Sequence, residues 1–341
     1  MNNNDTLLIR VDAHSSIGSG HVMRCIALAH QWQSLGGSVH FVMSMDAGVL
    51  FKRVKEENIH LHKIQSETSE LNDIQTSLNI AKTIDADWVV LDGYHFSIQF
   101  QKEIKRSNFK LLIIDDNSEH EHYFADIILN PNIYGTKDFY PDEKIEPYTQ
   151  LLIGREYVLL RKEFAKYKKY DKNFFSNRNN ILITMGGGDP ENVTLLVLKA
   201  INELNLNELN NIVIIGANNP NLESLNSYAL NMCCNFQLFY NVKDMPSLLE
   251  WAHLVISATG SSCYEFNYMK VPFINITIAE NQVNLANMTH LLGGYSLGWY
   301  NNISIAKLKE TILFILKRKE NPLPIIQFNN LTCERLMKEI E

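Results

Sequence analysis

The sequence predicts an α/β protein of two similar domains, each a parallel sheet covered on both faces. Short apolar runs rich in strand formers alternate with helical patterns through both halves, as buried parallel strands and their crossover helices do. The chain has 341 residues, enough for about two domains. Near the middle, Arg161 to Asn180 reads RKEFAKYKKYDKNFFSNRNN, a basic and polar stretch that breaks the alternation and marks a linker.

The elements follow in order. Leu7 to Val11 is the first strand, ending at Asp12 and a loop containing Gly18-Ser19-Gly20-His21. Val22, Cys25, Ile26, Ala29, Trp32 and Leu35 recur at helical spacing, and Gly36-Gly37 stops that helix. Strands follow at Ser38 to Met43, Trp88 to Leu91, Leu111 to Ile114, Ile127 to Leu129 and Leu151 to Ile153. The second half restarts with Ile181 to Thr184, the loop Met185-Gly186-Gly187-Gly188-Asp189-Pro190 and a helix from about Asn192. Further strands are Ile212 to Ile215, Phe236 to Tyr240, Leu254 to Ser257 and Phe273 to Ile276, with helices over Gln282 to Leu292 and Ile305 to Leu316. Ligands bind at the carboxyl ends of such strands, so two such domains predict a cleft between them.

Composition excludes several classes. Hydrophobic residues are 45% and charged residues 20%, an ordinary globular balance rather than a disordered or fibrous one. With 31 basic and 38 acidic side chains the net charge is −7, which argues against general nucleic-acid binding. The polar start Met1–Asp5 has no apolar stretch behind it, so no secretory signal is expected. No apolar run nears the roughly 20 residues that span a bilayer, so no membrane insertion is expected. Cys25, Cys233, Cys234, Cys263 and Cys333 are odd in number and lack C-x-x-C spacing. A disulfide framework or zinc site is therefore not expected, and a reduced cytoplasmic protein is.

Three Gly-rich loops lie between a strand and a helix: Gly18-Ser19-Gly20-His21, Gly186-Gly187-Gly188-Asp189 and Gly260-Ser261-Ser262. Loops of this kind present backbone N–H groups to phosphate. None fits the P-loop or the full dinucleotide pattern, and each alone reads equally as a turn. Together they favour a nucleoside diphosphate. His21 opens the first helix, where a neutral imidazole is favoured and can take a proton from water. Arg24 lies one turn later on the same face. The competing reading makes His21 a helix cap and Arg24 the partner of a carboxylate. Glu265, five residues after Gly260, is either a ribose ligand or a solvated helix residue. Asp115-Asp116 reads as a cap or turn rather than a metal site, because adjacent strand residues point to opposite faces. No histidine pattern supports a metal.

The string Arg10-Val11-Asp12-Ala13, then Ile17-Gly18-Ser19-Gly20-His21-Val22-Met23-Arg24-Cys25, resembles the signature of the UDP-2,4-diacetamido-2,4,6-trideoxy-β-L-altropyranose hydrolases of pseudaminic acid biosynthesis. These stand close to the spore-coat polysaccharide proteins of similar sequence. The likeness continues through Leu91-Asp92-Gly93-Tyr94, Ile114-Asp115-Asp116, Gly154 to Phe164, Met185 to Asn192, Ala258 to Glu265 and Ala279-Glu280-Asn281-Gln282. It implies a glycosyltransferase-B fold, two Rossmann-like domains facing across a cleft, and a hydrolase that needs no sugar acceptor, no cofactor and no metal. It implies His21 as the base that activates water, with inversion at the anomeric carbon and UDP as the leaving group. Glu265 would hold the ribose, and the backbone from Val242 to Met245 would read uracil. Gly260, Ser261 and Ser262 would hold the diphosphate with the Gly18–Gly20 loop. Tyr94 and Asn281 would face the sugar. Asp12, Arg24, Gly187 and Gln282 complete the expected substrate-binding set. The expected division is 1–165, 166–325 and a helix over 326–341 that packs back on the N-terminal domain, in a monomer or weak homodimer. A glycosyltransferase of the same fold, a non-hydrolysing epimerase and a non-catalytic nucleotide-sugar binding module remain open alternatives.

Overall fold

The structure is a computed structural model that describes residues 5–13, 19–45, 48, 50–65, 69–167, 179–216, 218–230, 232 and 234–318. It divides into two compact units, with the division between Lys162 and Glu163.

The N-terminal unit alternates β1 (Thr6–Val11), α1 (Gly20–Ser34), β2 (Ser38–Ser44), α2 (Leu50–Glu56), β3 (His60–Ile64), α3 (Glu70–Thr83), β4 (Trp88–Asp92), α4 (Ile98–Arg106) and β5 (Lys110–Ile114). It closes with β6 (Ile127–Asn130) and β7 (Gln150–Ile153). These form one seven-stranded sheet in the order β3-β2-β1-β4-β5-β6-β7, every neighbouring pair parallel. Successive side chains alternate between faces. Leu7, Ile9 and Val11 of β1 pack against Val22, Cys25, Ile26 and Ala29 of α1. Leu8, Val89 and Leu91 face Ile74 and Ala81 of α3 and Phe100 and Ile104 of α4.

The second unit contains β8 (Asn180–Thr184), α5 (Val193–Leu204), β9 (Asn210–Ile215), α6 (Leu222–Ala229), β10 (Asn235–Tyr240), α7 (Met245–Trp251) and β11 (Leu254–Ala258). It continues with α8 (Ser262–Tyr268), β12 (Phe273–Thr277), α9 (Val283–Met288), β13 (Gly294–Trp299) and α10 (Ile305–Leu316). Its six-stranded sheet has the order β10-β9-β8-β11-β12-β13, again parallel. In each sheet the chain order reverses at one place, between β1 and β4 and between β8 and β11. Such a switch point opens a crevice at the carboxyl ends of its two strands.

The structure differs from expectation in three places. It adds two strands, β3 and β13, both at sheet edges. The predicted helix Gln282 to Leu292 is three short pieces: a 3-10 turn Glu280–Gln282, α9, and a 3-10 turn Thr289–Leu292. Thr289 Oγ1 donates to the Leu285 carbonyl at 3.1 Å, a side-chain bond that competes with a regular helix. The expected linker begins inside packed structure. Lys162–Tyr167 is a 3-10 segment, Phe164 is buried, and the Tyr268 hydroxyl donates to the Phe164 carbonyl at 3.3 Å. The expected helix over 326–341 lies outside the described residues. Among the described residues no helix is long and apolar enough to cross a membrane.

Candidate functional site

Asp92 closes β4 at the switch point of the first sheet, in register with Val11, and is fully buried. The first turn of α1 grips it with three side chains at helical spacing. His21 Nδ1 lies 2.6 Å from Asp92 Oδ1. Arg24 donates from Nη2 to Oδ1 at 2.6 Å and from Nε to Oδ2 at 2.7 Å. Cys25 Sγ donates to Oδ2 at 3.2 Å. Burial and the Asp92 charge push the Cys25 thiol up, so it stays a donor. Arg24 Nη2, which donates to Asp92 Oδ1, also lies 3.0 Å from His21 Nδ1. A bare Nδ1 facing a carboxylate oxygen at 2.6 Å would set lone pair against lone pair, so Nδ1 carries the proton. Nε2 is then the basic nitrogen. Among the described residues Nε2 has no hydrogen-bond partner, and it is not among the buried orphan atoms.

Arg24 also donates from Nη1 to Asp116 Oδ1 at 2.7 Å. Asp116 further accepts from the Tyr94 hydroxyl at 2.8 Å and from Asn132 Nδ2 at 2.7 Å. The Tyr94 ring stands edge-on to His21, with centroids 5.0 Å apart. Burial alone would raise the carboxyls of Asp92 and Asp116; the Arg24 guanidinium, aided by His21, outweighs it and holds both below the usual carboxylate range. Burial opposes the Arg24 charge in turn, and the two carboxylates hold its pKa well above the ordinary value. Two carboxylates against one guanidinium leave a buried net negative charge, which a proton arriving on His21 neutralises.

The helix-cap reading of His21 is not what the structure has. Ser19 occupies the cap position without a side-chain cap bond, and the His21 ring turns to Asp92. Arg24 does pair with carboxylates. Asp12, expected in the substrate-binding set, is held by its own chain. The pleat sends it to the face opposite Asp92. There Oδ1 is 2.6 Å from Arg10 Nη1 and accepts from the Ser44 N–H at 2.7 Å, while Oδ2 is 3.1 Å from His95 Nε2. Its oxygens are committed to its own chain. Asp115 holds a turn, as expected, accepting from the Ser118 N–H at 2.9 Å and from the Tyr123 hydroxyl at 3.0 Å. Gly18 lies outside the described residues. Gly20 opens α1, and a Cβ there would meet nothing.

The switch point of the second sheet is built differently. After β8, Gly186 has φ +80° and is exposed, with open space where a Cβ would stand. Behind it a Cβ on Gly216 would fall 2.3 Å from the Gly186 carbonyl oxygen and 2.5 Å from that of Gly187. Two loops thus meet backbone to backbone. The N-terminal donors of α5 are already taken: Asp189 accepts from the N–H groups of Val193 and Thr194 at 2.7 and 3.0 Å. After β11, Gly260 again faces open space. Ser261 is exposed and makes no cap bond, Ser262 opens α8, and Glu265 is half-buried one turn on. After β12, Gln282 Oε1 accepts from the Ile278 N–H at 2.8 Å and so holds its own turn, while Asn281 is exposed. Val242 is half-buried between β10 and α7, and Met245 begins α7, whose cap is Asp244. All these expected residues sit at the carboxyl edge of one sheet.

The structure thus joins His21, Arg24 and Tyr94 through Asp92, Asp116 and Asn132, which were not expected as site residues. The signal for Asp92 was a charged residue closing an otherwise apolar strand. Among the described residues no group of three or more His, Cys, Asp or Glu side chains is arranged to hold a metal.

Two parallel sheets of this kind in one chain are the glycosyltransferase-B fold. MurG of Acinetobacter baumannii superposes with a TM-score of 0.64 at 14% identity, covering 98% of this chain and 99% of that one. A putative UDP-N-acetylglucosamine 2-epimerase of Listeria monocytogenes gives 0.67 at 11% identity, covering 99% and 96%. Residues 180–335 match the glycosyltransferase family 28 C-terminal domain. The UDP-2,4-diacetamido-2,4,6-trideoxy-β-L-altropyranose hydrolase of Campylobacter jejuni is 28% identical over 282 residues, 82% of this chain and 94% of that protein. An uncharacterized protein of Methanocaldococcus jannaschii is 28% identical over 280 residues, 79% of this chain and 54% of that one. The chain spans about half the length of that archaeal relative. The Campylobacter protein carries the name of the family that the N-terminal motif resembles, and this chain is similar to it over most of its length.

Proposed function

We propose that this chain hydrolyses a UDP-sugar of the 2,4-diacetamido-2,4,6-trideoxy-hexose type, releasing UDP by attack of water at the anomeric carbon. The observation that carries the reading is the His21–Asp92 pair, with Nδ1 held at 2.6 Å and Nε2 left basic. Nε2 takes a proton from water as its oxygen bonds to the anomeric carbon. The bond from that carbon to the phosphate oxygen breaks, UDP leaves, and the configuration inverts. Asp92 and Asp116 stabilise the imidazolium as it forms. UDP is a good leaving group, so the reaction needs no strong general acid. Gly260, Ser261 and Ser262 hold the diphosphate, and Glu265 takes the ribose hydroxyls. The backbone from Val242 to Met245 meets uracil, and Tyr94 and Asn281 face the sugar. No metal takes part.

The test is an assay in EDTA with UDP-2,4-diacetamido-2,4,6-trideoxy-β-L-altrose, following UDP and the sugar anomer by NMR. Free UDP with an inverted anomer supports the reading, and His21→Asn and His21→Phe should then bind UDP without turnover. Comparable turnover in either variant would remove His21 as the base. The family 28 match supports a second reading, a transferase, which would release UDP only when an acceptor is supplied.

A further inference from the structure

The crevice between β1 and β4 has a second imidazole, and nothing above uses it. Gly93, Tyr94 and His95 follow Asp92 into the loop before α4. Tyr94 turns toward Asp116 and His21. His95 turns the other way, to Asp12 at the end of β1, so the two histidine–carboxylate pairs lie on opposite faces of one strand-end edge. The His95 side chain is 42% exposed, with Nε2 3.1 Å from Asp12 Oδ2. Its ring packs on Phe96 at 4.0 Å between centroids. Gly93 makes room for it, because a Cβ there would come within 2.9 Å of His95 Cε1.

What stands behind this imidazole is costly to build. Arg10 is buried, donates from Nε to Asp73 Oδ1 at 3.0 Å and from Nη2 to Asp73 Oδ2 at 2.7 Å, and pairs through Nη1 with Asp12. Ser77 Oγ donates to Asp73 at 3.0 Å. Well-packed apolar side chains of the same volume would often stabilise a core as well or better than buried ions. The product of this arrangement is one fixed, ionised carboxylate at the crevice: burial opposes its charge, and His95 and Arg10 outweigh burial and hold it well below the usual range. Facing that carboxylate, Nε2 of His95 carries a hydrogen, and in the neutral imidazole Nδ1 is the acceptor. His21 is held by its Nδ1 and presents Nε2; His95 is held by its Nε2 and presents Nδ1.

We propose that His95 is a sugar-contacting, specificity-determining residue, positioned by Asp12, whose Nδ1 accepts an O–H or amide N–H of the sugar. This rests on the UDP-sugar reading above. An acceptor nitrogen does not suit phosphate oxygens, and the proposed function already gives the ribose to Glu265 and uracil to the backbone from Val242 to Met245, so the contact belongs to the sugar.

The test is calorimetric titration of the full chain as His21→Asn and as His21→Asn/His95→Ala. The probes are UDP and UDP-2,4-diacetamido-2,4,6-trideoxy-β-L-altrose. Loss of one hydrogen bond predicts about tenfold weaker binding of the UDP-sugar and unchanged binding of UDP. In the otherwise native chain, His95→Ala should raise KM about tenfold and leave kcat nearly unchanged. Asp12→Asn should act in the same direction and add little to His95→Ala. Equal loss for both probes, no loss, a fall in kcat at constant KM, or no gain in affinity from the sugar over UDP alone overturns the proposal. If the UDP-sugar binds but the wild-type chain does not hydrolyse it, the hydrolase reading fails while the binding comparison still decides the role of His95.

Discussion

The two switch points of this chain are made from opposite materials. At the first, between β1 and β4, the strand ends and the helix and loop beside them carry Asp12, Asp92, Arg24, His21 and His95, tied by charge-assisted bonds of 2.6 to 3.1 Å. At the second, between β8 and β11, they carry Gly186, Gly187, Gly260, Ser261 and Ser262, with open space at Gly186 and Gly260. One fold edge is filled with fixed side-chain charge, and the other leaves its backbone open at Gly186 and Gly260. A proton acceptor needs oriented charge in a dry setting, whereas a diphosphate needs donors and room. On the function proposed above, the same topology serves chemistry in one unit and binding in the other.

The largest way to break that contrast is Asp92→Asn. The amide cannot stabilise an imidazolium and offers His21 a donor in place of an acceptor. The expected fall in kcat is about four orders of magnitude, as for other histidine–carboxylate pairs. Arg24 also loses a buried counterion, so unfolding stability should drop by about 3 kcal/mol. Affinity for UDP should not change. A variant with native kcat would mean that the charge at this edge is only structural.

Next in size is a pair of glycine substitutions at the second edge. Gly216→Ala places a methyl 2.3 Å from the Gly186 carbonyl oxygen. Backbone has to move, and the cost should be about 1–3 kcal/mol in denaturant unfolding. Gly260→Ala meets no atom, so stability should hold or rise by a few tenths of a kcal/mol while UDP affinity falls. If both variants lose stability and neither loses UDP affinity, the open edge is not a ligand site.

How much of this was readable beforehand follows from the same physics. Parallel strands buried on both faces read as apolar runs, so β1, β2, β4 and the strands of the second core were legible. Edge strands were not. β3 is His-Leu-His-Lys-Ile, with His60 exposed and only Ile64 buried, and β13 carries Gly294 and Gly298. Within the site, His21 and Arg24 share a helix, so spacing alone put them on one face. Their carboxylate is 71 residues from His21, and only the register of β1 against β4 brings it there. Asp12 shows the converse: it is close to His21 in the motif, but the pleat turns consecutive strand residues to opposite faces, so its partners are Arg10, Ser44 and His95.

A smaller effect sharpens the binding side. Glu265→Ala should weaken UDP binding about tenfold, with less change in the saturated rate. If the carboxylate holds ribose hydroxyls, 2′-deoxy-UDP should bind the native chain more weakly than UDP, and the variant should not distinguish the two. Unchanged UDP affinity rules out the ribose role.

The smallest effect concerns two neighbours with opposite shifts. Burial raises Asp115, the Asp116 charge adds to it, and bonds from Tyr140, Tyr123 and Ser118 only partly offset them, so its pKa lies above the ordinary value. Asp116, equally buried, lies below it because Arg24 outweighs burial. A raised folded pKa gives stability that is present at low pH and lost as pH rises through it; a depressed one gives stability that is present at neutral pH and lost as pH falls. Against the native chain, Asp115→Asn should therefore gain stability as pH rises from about 4 to about 7. Asp116→Asn should lose it over the same interval, with the gap closing in acid. Each change amounts to a few degrees of Tm at most. Parallel Tm profiles for the two variants would mean that Arg24 does not separate them. The charge at this edge would then be a shared pool rather than a directed arrangement aimed at His21.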